Sequence, residues 1–189
     1  MRIITGKAKG CPIRTLPTDL TRPTSQRVKE AIFSMLQFDL EHRVVLDLFA
    51  GSGQMALEAL SRGASRAVLV DQSRDAVAVI RENAQKAKLA EQCDILQMDF
   101  RRYLQSCRVS FDLVFIDPPY ADGTHTEALA MLLRGGLLKS SSILVCETGS
   151  DDIFAGDAAL ASCFDVIKQT RYSISYVTVL MPKKEAILG

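Results

Sequence analysis

Val44-Val45-Leu46-Asp47-Leu48-Phe49-Ala50-Gly51-Ser52-Gly53 decides the fold of this chain. Val44 to Leu48 is a nearly continuous apolar run, the pattern of a strand buried on both faces of a parallel sheet. Gly51 and Gly53 let the backbone turn tightly behind it. Gly53 to Arg62 then reads as helix and stops at Gly63. A strand, a glycine turn and a helix in that order open a doubly wound α/β sheet, with helix N-terminal amides facing a ligand.

The alternation continues downstream. Ala67–Val70, Cys93–Gln97, Phe111–Ile116 and Ile143–Cys146 read as further strands. Ser73 to about Lys88, Glu127 to Arg134 and Ala155 to Ala161 read as helices. Phe164–Thr170 and Ile174–Met181 are strand-like with only Arg171 to Ser173 between them. That spacing suits a hairpin and is too short for a helical crossover. Upstream, Ile3-Ile4 and Ile13 suggest a small hairpin turning at Gly6 and Gly10, and Thr24 or Ser25 can cap a helix to about Phe38. The expected fold is a Rossmann-like, seven-stranded, mostly parallel sheet with an antiparallel last strand. One domain spans 1–189, with 1–23 as an N-terminal hairpin and arm.

Composition narrows the class. A chain of 189 residues, 48% hydrophobic and 24% charged, is long enough for a full α/β core. No apolar run reaches the ~18 residues of a spanning helix, and Met1 to Lys7 turns polar too soon for a secretory signal. Five widely spaced cysteines and only two histidines point to reduced thiols and no metal site. A cytoplasmic protein with no membrane contact is expected. Residues 1–30 carry seven cations and two anions, although the whole chain is only +1. Such an arm suits a polyanion, with Arg22, Arg27 and Lys29 as candidate phosphate contacts.

The glycine loop alone admits two ligands. Gly51-Ser52-Gly53-Gln54-Met55-Ala56 also satisfies the dinucleotide fingerprint, with Asp71 where an acid meets a ribose. Asp47 discriminates, because a carboxylate there suits an ammonium and would crowd a pyrophosphate. S-adenosylmethionine carries that ammonium. Asp71 can serve its ribose, and Asp99 with Phe100 its adenine. Asp99 also reads as an ordinary helix cap.

Asp117-Pro118-Pro119-Tyr120 follows the fourth strand, at the end of the sheet where ligands bind. Prolines fix φ and hold their carbonyls in set directions. An Asp oxygen and a rigid carbonyl can accept both protons of an –NH₂ group, while an aromatic ring stacks on the base. Holding the amine this way localises its lone pair for methyl transfer. No cysteine adjoins the tetrad, which argues against the pyrimidine-C5 enzymes that need a thiolate.

Three motifs together carry a resemblance: Thr21 to Ala31, Leu46 to Gly53 with Leu57 to Ala64, and Asp117 to Tyr120. The chain resembles the bacterial small-subunit ribosomal RNA guanine-N2 methyltransferases, the RsmD family, along almost its whole length. The resemblance implies a monomer that methylates guanine N2 in 16S rRNA within the small ribosomal subunit, using S-adenosylmethionine. It implies that Asp47, Phe49, Ala50, Gly51, Gly53 and Gln72 line the cofactor, Asp71 holds its ribose, and Asp99 with Phe100 meets its adenine. Asp117, Pro118, Pro119 and Tyr120 would hold the base, and the segment of Arg22 and Thr24 would lie over cofactor and RNA. Gln26 and Gln54-Met55 depart from the family pattern. Rival readings are a DNA adenine-N6 methyltransferase, for which no target-recognition segment is visible, a nicotinamide oxidoreductase, and a non-catalytic RNA-binding protein.

Overall fold

The computed structural model describes residues 1–16, 26–36, 40–119, 123–173 and 175–188. Seven strands form one sheet in the order β3-β2-β1-β4-β5-β7-β6. They are β1 (Val44–Asp47), β2 (Arg66–Asp71), β3 (Cys93–Gln97), β4 (Phe111–Ile116), β5 (Leu138–Thr148), β6 (Phe164–Tyr172) and β7 (Ser175–Pro182). The first five pair in parallel, whereas β7 runs antiparallel to both β5 and β6. This is the expected fold.

Period-two alternation divides the core between the faces. Val45, Leu69, Leu113, Phe115 and Val145 pack under α1 (Gln26–Met35), α2 (Gln54–Ser61) and α3 (Arg74–Lys86). Leu46, Val68, Val70, Val114 and Leu144 face the other way, under α4 (Phe100–Ser106), α5 (Thr124–Arg134) and α6 (Ala158–Ser162). A short last helix, α7, covers Lys184–Leu188. Connections diverge on either side of β1 and β4, so a crevice opens at their carboxyl ends.

The amino-terminal hairpin is smaller than the sequence suggests. Its strands shrink to one antiparallel bridge, Arg2 to Pro12, supported by Ile3 N–H to Cys11 O and Ile13 N–H to Met1 O, both 2.9 Å. Its stability comes from docking. Ile3 and Ile13 are buried, and the turn lies against the end of α2. A Cβ on Gly6 would fall 1.8 Å from the Ser61 carbonyl oxygen, so only glycine fits this approach.

Other element bounds differ from expectation, and the fifth helix begins at Thr124 rather than Glu127. The sixth helix begins at Ala158 rather than Ala155, because Asp157 caps it by accepting from Leu160 N–H. β5 starts at Leu138, five residues early, because Leu138 pairs with Phe111 and the Ser142 hydroxyl donates to the Phe111 carbonyl. Phe100–Ser106 folds as a helix that the apolar pattern did not announce. The expected cap at Thr24 or Ser25 and the helix end near Phe38 lie outside the described residues.

Candidate active site

A cleft of about 1080 Å³ opens at the carboxyl ends of the parallel strands. It is lined by Asp47 as the last residue of β1, Asp71 as the last of β2, Asp99 after β3 and Asp117 after β4. Four successive strands thus deliver one acid each to a single space. The glycine loop forms its floor. Gly51 (φ +53°) and Gly53 (φ +75°) adopt left-handed backbone that other residues resist. A Cβ on Gly51 would meet nothing within 4 Å, so the loop leaves room there for a ligand. A Cβ on Gly53 would press Leu69 Cδ2 at 3.1 Å, so this glycine serves packing.

Asp71 shapes the loop. Its Oδ2 accepts from Gly51 N–H and its Oδ1 from Ser73 N–H, each at 2.8 Å. Each oxygen keeps a second lone pair for a ligand hydroxyl. Asp47 is buried, and its Oδ2 accepts from Ala56 N–H at 3.3 Å. Desolvation pushes its carboxyl up to about 7, with the nearby Asp71 adding to the shift and the Ala56 amide opposing it. A buried acid in that state favours a cationic neighbour, which restores its charge.

Asp99 is a helix cap that also faces the cleft. Its Oδ1 caps α4, accepting from Arg101 N–H at 2.9 Å, while the residue also lines the cleft. Phe100 stands behind it, its ring 5.1 Å from that of Phe49, with the Arg101 guanidinium 4.4 Å above. Arg101 also grips Glu127 of α5 through two 2.6 Å hydrogen bonds. Phe49, Ala50 and Gln72 line the same space.

Asp117, Pro118 and Pro119 line the cleft on its far side, next to β5. Tyr120, Arg22 and Thr24 lie outside the described residues. Arg27 is exposed on α1. Lys29 corrects the reading of the arm. Its side chain is wholly buried, 3.3 Å from Glu58 Oε2, and its ammonium donates to the Arg2 carbonyl at 2.7 Å. Desolvation lowers its pKa, against the pull of Glu58. It pins the amino-terminal segment to α2 and cannot reach an RNA phosphate.

The structure also brings in residues that the apolar pattern did not mark. His125 at the start of α5, Glu147 near the end of β5 and Ser175 at the start of β7 line the same cleft. Burial lowers the His125 pKa, opposed by the hydrogen bond of its ring to the Glu147 carbonyl. Glu147 did carry a signal: it is one more acid directly after an apolar strand run.

The comparisons agree with this geometry. Ribosomal RNA small subunit methyltransferase D of Haemophilus influenzae is 32% identical over 155 residues, 80% of this chain and 80% of its own. The Escherichia coli protein of the same name is 30% identical over 148 residues, covering 78% of this chain and 74% of its own. The solved structure of Escherichia coli yhhF superposes with a TM-score of 0.83 at 25% identity, over 97% of this chain and 98% of that one. An RNA methyltransferase from Salinibacter ruber, in complex with S-adenosyl-L-homocysteine, shares the fold with a TM-score of 0.67 at 17% identity, over 86% of this chain and 95% of that one. Residues 1–181 match the family described as Conserved hypothetical protein 95, and the chain belongs to this family, the RsmD family that its motifs resemble.

Proposed function

We propose that this chain transfers a methyl group from S-adenosylmethionine to the exocyclic N2 amine of a guanine in 16S rRNA of the small ribosomal subunit. One observation carries the reading: the Asp117-Pro118-Pro119 turn opens into the same cleft as the acids ending β1, β2 and β3. The family relatives named as small-subunit ribosomal RNA methyltransferases support the substrate.

The donor set fits this cofactor. Asp47 suits its ammonium, Asp71 its ribose hydroxyls, and Asp99 with Phe100 its adenine. A pyrophosphate in the same loop would lie against Asp47. S-adenosylmethionine supplies an electrophilic methyl group on sulfur. The protein's own part is orientation and charge. Asp117 and the Pro118 carbonyl accept from the two amine hydrogens, which draws the lone pair out of the ring system. Tyr120 stacks on the base. Arg22, Thr24 and Arg27 contact the RNA backbone or lie over the cofactor. The protein works as a monomer in the cytoplasm, where its ribosomal substrate is.

Undermethylated small subunits incubated with labelled S-adenosylmethionine test the proposal. Digestion of the RNA is expected to place the label in N2-methylguanosine. Label in another nucleoside, or none, overturns it.

A further inference from the structure

β4 and β5 run parallel with Ile116 beside Cys146. The next residues are Asp117, just past the end of β4, and Glu147, still paired with β7 inside β5, so the register sets them side by side at the usual strand spacing of about 4.8 Å. Alternation puts both on one face, because Phe115 and Val145, two positions back on each strand, belong to the same core layer. Both line the cleft, Glu147 on the side of β4 away from the glycine loop.

Glu147 is braced at both ends. The Ser175 hydroxyl donates to its Oε1 at 2.9 Å. His125 Nε2 lies 2.7 Å from its backbone carbonyl. A carbonyl can only accept, so Nε2 carries the hydrogen of that bond. The carboxylate is thus fixed by a partner on β7 and its strand end by a partner on α5, beside the residue proposed to hold the target amine.

We propose that Glu147 selects guanine by accepting a hydrogen bond from the ring N1–H next to the amine held by Asp117. This rests on the reading of the reaction as guanine-N2 methylation. Guanine presents N1–H and the 2-amine as adjacent donors on its Watson–Crick edge, and two adjacent carboxylates accept from them. Adenine and cytosine carry a ring lone pair beside their amines. A carboxylate oxygen facing that lone pair gains no hydrogen bond from the base and meets a second acceptor instead, which rejects the base.

2-Aminopurine tests this, because it keeps the 2-amine but has a lone pair in place of N1–H. Small subunits are rebuilt with 16S rRNA in which the guanosine labelled by the wild-type protein is replaced by 2-aminopurine riboside. Single-turnover methylation is compared for guanosine and 2-aminopurine particles, with cofactor affinity measured alongside. Wild type is expected to prefer guanosine by about 100-fold or more, as sites built to pair a donor do. Glu147→Gln can turn an amide N–H toward the lone pair, so its preference is expected to fall below about 10-fold while cofactor affinity holds. Equal preference in the two proteins overturns the role of Glu147 and leaves the guanine reading intact. Wild-type label in a nucleoside other than N2-methylguanosine overturns the guanine reading itself. If Glu147→Gln does not fold, Ser175→Ala leaves the carboxylate in place but unbraced. Its preference is expected to lie between the two, and an unchanged preference overturns the proposal.

Discussion

Lys29 Nζ lies 3.3 Å from Glu58 Oε2, and neither side chain reaches solvent. Glu58 also accepts from Ile4 N–H at 2.7 Å, Thr5 N–H at 3.1 Å and Arg62 Nε at 2.8 Å. One carboxylate therefore ties the amino-terminal segment, α1 and α2 together, and α2 begins in the ligand loop. Removing one partner of a buried pair leaves an uncompensated charge and costs about 3–5 kcal/mol. Lys29→Met is expected at the low end of that range, because Arg62 remains beside Glu58. Denaturant unfolding measures the loss, and adding Glu58→Gln should recover part of it.

The same burial separates Lys29 from its exposed neighbour Arg27. Each lost phosphate contact reduces the slope of log affinity against log salt by roughly 0.7–0.9. Arg27→Gln is expected to flatten the salt dependence of small-subunit binding by about one such contact. Lys29→Met should leave the slope unaltered once the fraction of folded protein is accounted for. A slope insensitive to Arg27 would make α1 a plain solvated surface.

Asp47 gives a pH signature. Its carboxyl titrates near 7 in the folded protein against 3.8 for an ordinary aspartate, chiefly through desolvation. The folded protein thus holds a proton that the unfolded chain has released. The stabilisation this brings is complete below about pH 3.8 and is lost as pH rises through about 7. Asp47→Asn removes the buried charge, so it should melt higher than the parent protein at pH 8, and the gap should narrow as pH falls below 7 and close near pH 3.8. A gap that does not vary with pH would mean that the carboxyl is not desolvated. On the proposed reading, the ammonium of bound S-adenosylmethionine draws Asp47 back to its charged form. Calorimetry near pH 6.5 in buffers of different ionisation enthalpy should then register proton release on binding.

Asp71 shapes the glycine loop, and the proposed reading gives it the ribose of the cofactor. It accepts from Gly51 N–H and Ser73 N–H, and it lines the cleft. Asp71→Ala is expected to weaken S-adenosylmethionine by about 1–3 kcal/mol, the usual loss when a buried polar partner is removed. Isothermal titration provides the measurement, with NAD as the control ligand. Tighter binding of NAD than of S-adenosylmethionine would overturn the cofactor assignment.

The sheet was legible because its strands are short apolar runs that no exposed segment would carry, Val44–Leu48 and Phe111–Ile116 above all. The acids at Asp47, Asp71 and Asp99 were legible for a related reason: each lies at or just past the carboxyl end of such a run. What escaped depends on partners distant in sequence. The first residues of β5, Leu138 to Ser141, are mostly polar, and only pairing with Phe111 makes them strand. Phe100–Ser106 spans two turns, too short for a helical period to stand out. Lys29 looked like part of a basic surface because lysine is almost never fully buried unless paired, and its partner Glu58 is 29 residues away. Glu147 gained meaning only when strand register set it beside Asp117.

Asp117 carries the sharpest prediction. If its carboxylate accepts from the target amine, it acts chiefly as nitrogen becomes pyramidal in the transition state. Its loss should then lower turnover far more than cofactor affinity. Asp117→Asn keeps the shape and one acceptor oxygen but removes the charge, and a charged acceptor makes a hydrogen bond roughly twice as strong as a neutral one. A fall in turnover on the order of 10²–10³ is expected, comparable to removing one oxyanion-hole donor. Asp117→Ala should be slower still. Tyr120→Ala should act differently, weakening substrate binding by about 1–3 kcal/mol through lost stacking. Single-turnover methylation of undermethylated small subunits, with S-adenosylmethionine affinity measured in parallel, separates these effects. Near-normal turnover in Asp117→Ala would reduce the Asp-Pro-Pro turn to a structural feature and remove the proposed chemistry from the end of β4.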